Sequence, residues 1–159
     1  MAANAVRFVL LLLLALLVGT MVGIWVGFKP ASLSASAYVE QQQNAIRALN
    51  LLLPATGAAC IVLTLLLAFM TAGDPRSRYA LLAVAALLVV AALVTRFANQ
   101  PINAVVITWS AQSPAANWTQ LRDAWWHWNI VRTVAAIAGL CLSLAALLWS
   151  SGMQPRNAA

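Results

Sequence analysis

The sequence predicts an all-α fold: an integral membrane four-helix transmembrane bundle with an interfacial helical extension before the fourth helix. Three observations lead there. The chain is 64% hydrophobic and only 8% charged, with a mean hydropathy of +0.88, whereas a soluble domain carries about 25% charged residues. It contains four apolar runs of spanning length, and because each crossing takes about 20 residues, most of the 159 residues are used in crossing. Finally, most polar groups suited to chemistry lie in one stretch between Arg96 and Arg132. In so apolar a chain they need a reason to be there.

The first run, about 8–28, follows Arg7 and ends at the interfacial Trp25 and Phe28 before Lys29-Pro30. Ala35-Ser36-Ala37 resembles a signal-peptidase site, but a signal core is only about 7 to 15 residues long, so a retained helix is expected. The second run, about 45–70, holds Pro54, which removes one backbone donor and predicts a bend with a freed carbonyl near Asn50. Thr71 to Arg78 is a tight turn rich in helix breakers, making the second and third helices antiparallel neighbours. The third run is about 79–98. Beyond it, Pro101 disfavours helical geometry at Gln100, so the chain is expected to turn there. The fourth helix, about 117–150, includes the interfacial extension. Residues 1–153 read as one transmembrane domain and 154–159 as a polar tail.

Four crossings put both termini on one side. A raw count of Lys and Arg does not choose the side, but Arg76 and Arg78 sit in a short connection, where the positive-inside rule is strongest. Cytoplasmic termini in a bacterial inner (plasma) membrane are the expectation, which places the polar segment at the extracytoplasmic end.

Metal chemistry finds little support. Cys60 and Cys141 lie inside apolar runs without CxxC spacing, and there is a single histidine, His127. Haem and multinuclear centres need several such ligands, so neither a metal nor another cofactor is expected. Nor is a nucleic-acid partner. Although the net charge is +6, its arginines are distributed among membrane helices.

Position in the bundle makes the arginines informative. Arg47 lies near the start of the second helix, Arg96 ends the third and Arg132 lies about a turn inside the fourth. Antiparallel threading brings all three to one end, with Arg122 nearby, as a possible ring. Ionisable groups within a membrane tend to face an interior or a wet cavity. The plainer alternative is that arginines at helix ends snorkel to headgroups.

Helical phase favours an interior site. At about 100° per residue, Trp118, Arg122, Trp125, Asn129 and Arg132 share one face of a continuous fourth helix. Glu40, Asn44, Arg47 and Asn50 repeat the spacing at the second helix and suggest another polar stripe entering the same end. Arg96, Asn99 and Asn103 would align if the third helix continued. His127 projects away from the Arg132 stripe, towards Asp123, with which it has i, i+4 spacing. Headgroup belts account for Trp25, Trp126, Trp128 and Trp149, while Trp118 and Trp125 suit the walls of a pocket for a flat ligand. The arginines at this end face only Glu40 and Asp123. An anionic partner, either a lipid headgroup or an acidic aromatic whose charged form arginine favours, would balance them.

Several motifs appear together in one order. They are Pro30-Ala-x-Leu33, a polar stretch from Tyr38 to Asn50, Asn99-x-Pro101-x-Asn103, and Trp125-x3-Asn129-x2-Arg132-Thr133. In this respect the chain resembles the anthrone oxygenase-like family of small four-helix membrane proteins, over most of its length. The resemblance implies oxidation of an anthrone to its quinone by O₂ without an evident metal or flavin. On that reading Arg132, Arg96, Asn103 and Asn129 stabilise an enolate oxygen and Glu40 accepts the proton. Trp125 stacks the rings, and Trp118, Arg122, Asn99, Arg47 and Asn50 complete the ligand site.

A second function class uses the same residues. A non-catalytic module could bind lipid or quinone through the arginines, or assist a neighbouring membrane complex, with the Asp123 to His127 face towards a partner. Small residues such as Ala83, Ala135 and Gly139 permit close helix approach within one bundle or in a homo-oligomer. A transporter fits less well, since all four apolar cores lack Asp and Glu.

Overall fold

The computed structural model describes residues 1–151, and the polar tail 154–159 lies outside them. The described chain is helical: α1 (Ala2–Gly27), α2 (Ala35–Leu49), α3 (Leu52–Met70), α4 (Pro75–Val94), α5 (Gln100–Val106) and α6 (Trp118–Ser151), with a short 3₁₀ turn at Pro30–Ser32 after α1. Four helical segments are long and apolar enough to cross a membrane: Ala2–Ser32, Leu52–Met70, Pro75–Val106 and Trp118–Trp149. In the first three, only 28% of the most apolar window is buried inside the protein, so much of their apolar surface faces outward, as a lipid-embedded bundle requires. Phe8, Leu12 and Leu16 of α1, Phe69 of α3 and Leu93 of α4 are among these exposed residues.

The four spanning helices form a ring in which α1 packs on α3 and α6, and α4 packs on α3 and α6. Between them lies a dry core of Leu10, Leu14, Leu17, Val18 and Met21 from α1, Cys60 and Leu67 from α3, Leu81, Val84 and Leu88 from α4, and Ala136 from α6. Gly139 lies where α6 packs on α4. A Cβ on Gly139 of α6 would stand 3.4 Å from Leu88 Cδ2 of α4. At the end away from the polar segment, Asp74 caps α4 by accepting a hydrogen bond from the Ser77 backbone N–H. Hydrogen bonding from Ser77 is the main influence holding the Asp74 carboxyl below its ordinary value. Arg76 lies over the Trp149 ring, 4.5 Å from its centre, joining the start of α4 to the end of α6.

The helices depart from the sequence expectation in three places. The bend expected near Asn50 is a complete break, dividing a separate helix, α2, from α3. Pro54 then falls in the first turn of α3, where an unmatched donor would be present in any case. The turn expected at Pro101 does not occur, for Gln100 is helical at φ −63 and ψ −39. Instead, Thr95–Asn99 widen into a π turn and the helix continues as α5, with Pro101 in its opening turn. The Gln100 N–H reaches back to the Thr95 carbonyl, and the widened turn accommodates a residue that has no donor. Thirdly, α1 starts at Ala2 rather than near residue 8, since the flanking Ala-Ala-Asn-Ala-Val sequence contains no breaker.

Candidate functional site

α6 runs unbroken for 34 residues, so its 3–4 spacing persists in space. Trp125, Asn129 and Arg132 are buried, and Trp118 and Arg122 are half-buried on the same side. Arg132 is only 6% exposed, which shows that it does not snorkel outward. Its Nε and Nη2 donate to Asn129 Oδ1 at 3.2 and 2.9 Å, and its Nη1 donates to Thr95 Oγ1 of the π turn at 3.4 Å. Of the five N–H donors of a guanidinium, these three bonds leave two without a described protein acceptor. No carboxylate balances the charge. The chain has only three acids. Glu40 and Asp123 are exposed, Asp123 accepts from Arg122 Nε at 2.7 Å, and Asp74 caps α4 at the opposite end.

Two cavities meet at Arg132. The smaller, about 30 Å³, is lined by Gln42, Asn50, Asn103, Thr95, Trp125 and Arg132, together with apolar residues of α1, α2 and α3. The larger, about 260 Å³, runs down the bundle between α1, α3, α4 and α6, and includes Thr95, Arg96, Gln100 and Arg132 in an otherwise apolar wall. Leu53, Pro54, Thr95 and Arg132 border both. The pair forms a polar head joined to an apolar body.

An amide chain ties the polar end together. Gln42 Nε2 donates to Asn103 Oδ1 at 3.3 Å, and Asn103 Nδ2 donates to Asn50 Oδ1 at 2.9 Å. Asn99 Nδ2 donates to the Trp125 carbonyl at 3.1 Å, fastening the π turn to α6. Gln43 Nε2 reaches the carbonyls of Val106 and Trp109 at 3.0 and 2.8 Å, anchoring α2 over the end of α5. Beside this chain lies an aromatic cluster. Phe28 meets Trp125 and Trp126 edge-on at 5.9 and 6.3 Å, and Tyr38 lies 5.8 Å from Trp118.

Several buried polar atoms in this end have no protein partner: Tyr38 Oη, Gln42 Oε1, Asn99 Oδ1, Trp125 Nε1 and Asn129 Nδ2. Unpartnered buried polar atoms are rare because each costs about 1–3 kcal/mol. Five of them gather at this end, and two, on Gln42 and Trp125, belong to residues that line the smaller cavity. Burial pushes the Tyr38 hydroxyl up to about 12, more than the nearby Arg122 lowers it, with Asp123 adding a smaller upward influence. The phenol is therefore neutral at physiological pH.

The structure thus brings Arg132, Asn129, Asn99, Asn103, Asn50 and Trp125 together, but it does not assemble the four arginines as a ring. Arg96 is exposed on the rim of the larger cavity. Arg122 pairs with Asp123 and lies 5.0 Å over the half-buried Trp118. That pairing replaces the expected contact of Asp123 with His127, which is exposed against Trp128. Arg47 is exposed and bonded to Asn44 and Gln43 of its own helix. Glu40 is exposed and borders neither cavity. The stripe read from Glu40 through Asn44 to Arg47 is the outer face of α2; only Asn50, at the break, reaches the site.

The inner face of α2 is Tyr38, Val39, Gln42 and Ile46. Sequence reasoning missed Tyr38 and Gln42 as individual site residues, although their 3–4 spacing with Ile46 was the available signal. Thr95 was missed as well, and neither it nor Phe28 carries an evident sequence signal. Trp126 belongs to the aromatic cluster and not only to a headgroup belt. Among the described residues, no three His, Cys, Asp or Glu side chains come together.

Fold and site define a class: a small four-span helical membrane protein with a polar pocket at one end around a buried arginine. A family model described as anthrone oxygenase matches residues 43–142, most of the chain, and the protein belongs to that family. No curated protein and no solved structure matches it.

Proposed function

We propose that the protein is a membrane-embedded oxygenase that binds a flat, hydrophobic, acidic aromatic of the anthrone or quinone type, with the ligand oxygen on Arg132 and the rings in the apolar cavity. The carrying observation is the buried Arg132 guanidinium without a carboxylate, bordering both cavities. Family membership supports the substrate class.

The chemistry asked of the site is modest. Loss of one methylene proton from an anthrone to solvent gives an enolate, and a cation beside its oxygen favours that charged form. Preorganised donors in a dry site strengthen the effect. The electron-rich carbon takes up O₂ and, with a proton, becomes a hydroperoxide. Loss of the second C–H proton then breaks the O–O bond and leaves the new carbonyl, while hydroxide departs and is protonated to water. In balance, anthrone and O₂ become quinone and water, with O₂ as the oxidant. Arg132 holds the oxyanion, Asn129 and Thr95 fix the guanidinium, and the Gln42-Asn103-Asn50 chain sets the width of the polar end. Trp125 offers its indole N–H and part of the wall.

The test is O₂ consumption by purified protein with an anthrone, measured above the spontaneous rate. Wild type is expected to accelerate uptake, and Arg132→Gln to lose roughly 10²-fold or more, the scale on which a single oxyanion donor acts. A wild type indistinguishable from background, purified with a bound lipid or quinone, would contradict catalysis and support a non-catalytic binding module.

A further inference from the structure

The two ends of the cavity pair differ in width. On the polar side α2 lies across the bundle. Gln43 is bonded to the end of α5, the Gln42-Asn103-Asn50 chain borders the smaller cavity, and Phe28, Tyr38 and Trp125 pack as a buried cluster at the same end. What is left is about 30 Å³, room for a water but not for a ring system.

The larger cavity has a different boundary. On α3 it is bordered by Gly57 and Ala58, and on α4 by Ala91 and Ala92. Ala58 and Ala92 are both exposed on the outer surface of spanning helices. Four small side chains therefore keep this stretch of the cavity wall thin. Charge has a direction along this cavity, with Arg96 exposed at its rim and Arg132 buried at its inner end, and no Asp or Glu in the lining.

We propose that the ligand enters sideways from the bilayer, through a portal between α3 and α4 framed by Ala58 and Ala92, and not from water at the polar end. This deepens the functional reading above and rests on it for the identity of the inner site. The substrate class follows from the geometry: a lipid-dissolved, flat apolar molecule with an acidic hydroxyl or enolisable carbonyl at its leading edge. Arg96 meets that oxygen first and Arg132 receives it, while the apolar body remains between α3 and α4.

The test uses 2-hydroxyanthracene, a fluorescent three-ring phenol, with the full-length protein in lipid nanodiscs and rapid-mixing fluorescence. Ala58→Leu and Ala92→Leu each enlarge an exposed residue of the cavity wall and so narrow the portal. Each is expected to slow binding and release by about tenfold with little change in Kd, as for a passage that must open before binding. Ala86→Leu, an equal enlargement at an exposed α4 position that borders neither cavity, should exchange at the wild-type rate. Helical content of every variant is checked by circular dichroism, and either portal substitution alone suffices if the other fails to fold. Wild-type exchange rates in the folded portal variants would overturn the lateral route, as would failure of the wild type to bind the phenol. Slowed exchange without O₂ uptake would remove the oxygenase reading and keep the portal. O₂ uptake with unaffected exchange would do the reverse.

Discussion

Arg132 concentrates the physical problem of this protein. A buried guanidinium without a paired acid is retained at a penalty unless something compensates it. Asn129 and Thr95 supply oxygen acceptors but no negative charge. Tyr38 presents the same problem in neutral form, as a buried phenol with no hydrogen-bond partner and a pKa near 12. Since the folded value is raised above the ordinary 10, its contribution is intact below pH 10. It is lost between about 10 and 12, where the unfolded chain gives up its proton first. With two tyrosines in the chain, the difference between the phenolate absorbance titrations of wild type and Tyr38→Phe isolates this group. The difference should have its midpoint near 12, and a midpoint near 10 would mean that Tyr38 is hydrated. Neither burial nor lack of a partner was legible in the residue type. Arg132 was identifiable because its depth in an apolar run excludes an easy route to water. Arg47 and Arg122 lie nearer helix ends and pair locally, while Arg96 is exposed.

At the scale of elements, legibility followed the environment on each helix's outer side. α6 faces lipid, so a polar residue within it has to turn inward, and the 3–4 spacing of Trp118, Arg122, Trp125, Asn129 and Arg132 gave the inner face directly. α2 lies outside the four spanning segments, and its charged face turns outward while Tyr38, Gln42 and Ile46 pack inward. The same spacing rule therefore selected the outer face of α2. The π turn was not legible either. Pro101 announces a disturbed helix, but nothing local distinguishes a turn from a widened helix that continues.

Two helical glycines provide an element-scale test with opposite signs. A Cβ at Gly57 meets only Leu17 Cδ2 at 4.0 Å, whereas at Gly139 it would crowd Leu88 at 3.4 Å. Gly57→Ala is expected to raise thermal stability slightly, by up to about 1 kcal/mol from reduced backbone freedom. Gly139→Ala should gain less or lose, and Gly139→Leu should cost about 1–3 kcal/mol through overpacking. Unfolding in detergent followed by circular dichroism measures both. Equal responses would show that α4 and α6 are not in close contact at Leu88.

For the whole molecule, the four-span architecture was readable because lipid demands long apolar helices and leaves few alternatives. The location of the pocket was only partly readable. It depends on the break at Asn50, the π turn at Thr95–Asn99 and the uninterrupted α6 acting together, bringing residues distant in sequence around one guanidinium. On the proposed function, this assembled end holds a cation whose counter-charge comes from the ligand. The most direct measurement is the pH at which bound 2-hydroxyanthracene ionises, followed by its absorption spectrum. In wild type the bound phenol should ionise about 1–3 units below its value in the same bilayer without protein, the range expected beside an opposite charge. In Arg132→Gln the shift should vanish while the phenol still binds. A bound phenol that ionises at the same pH in both proteins would contradict the account.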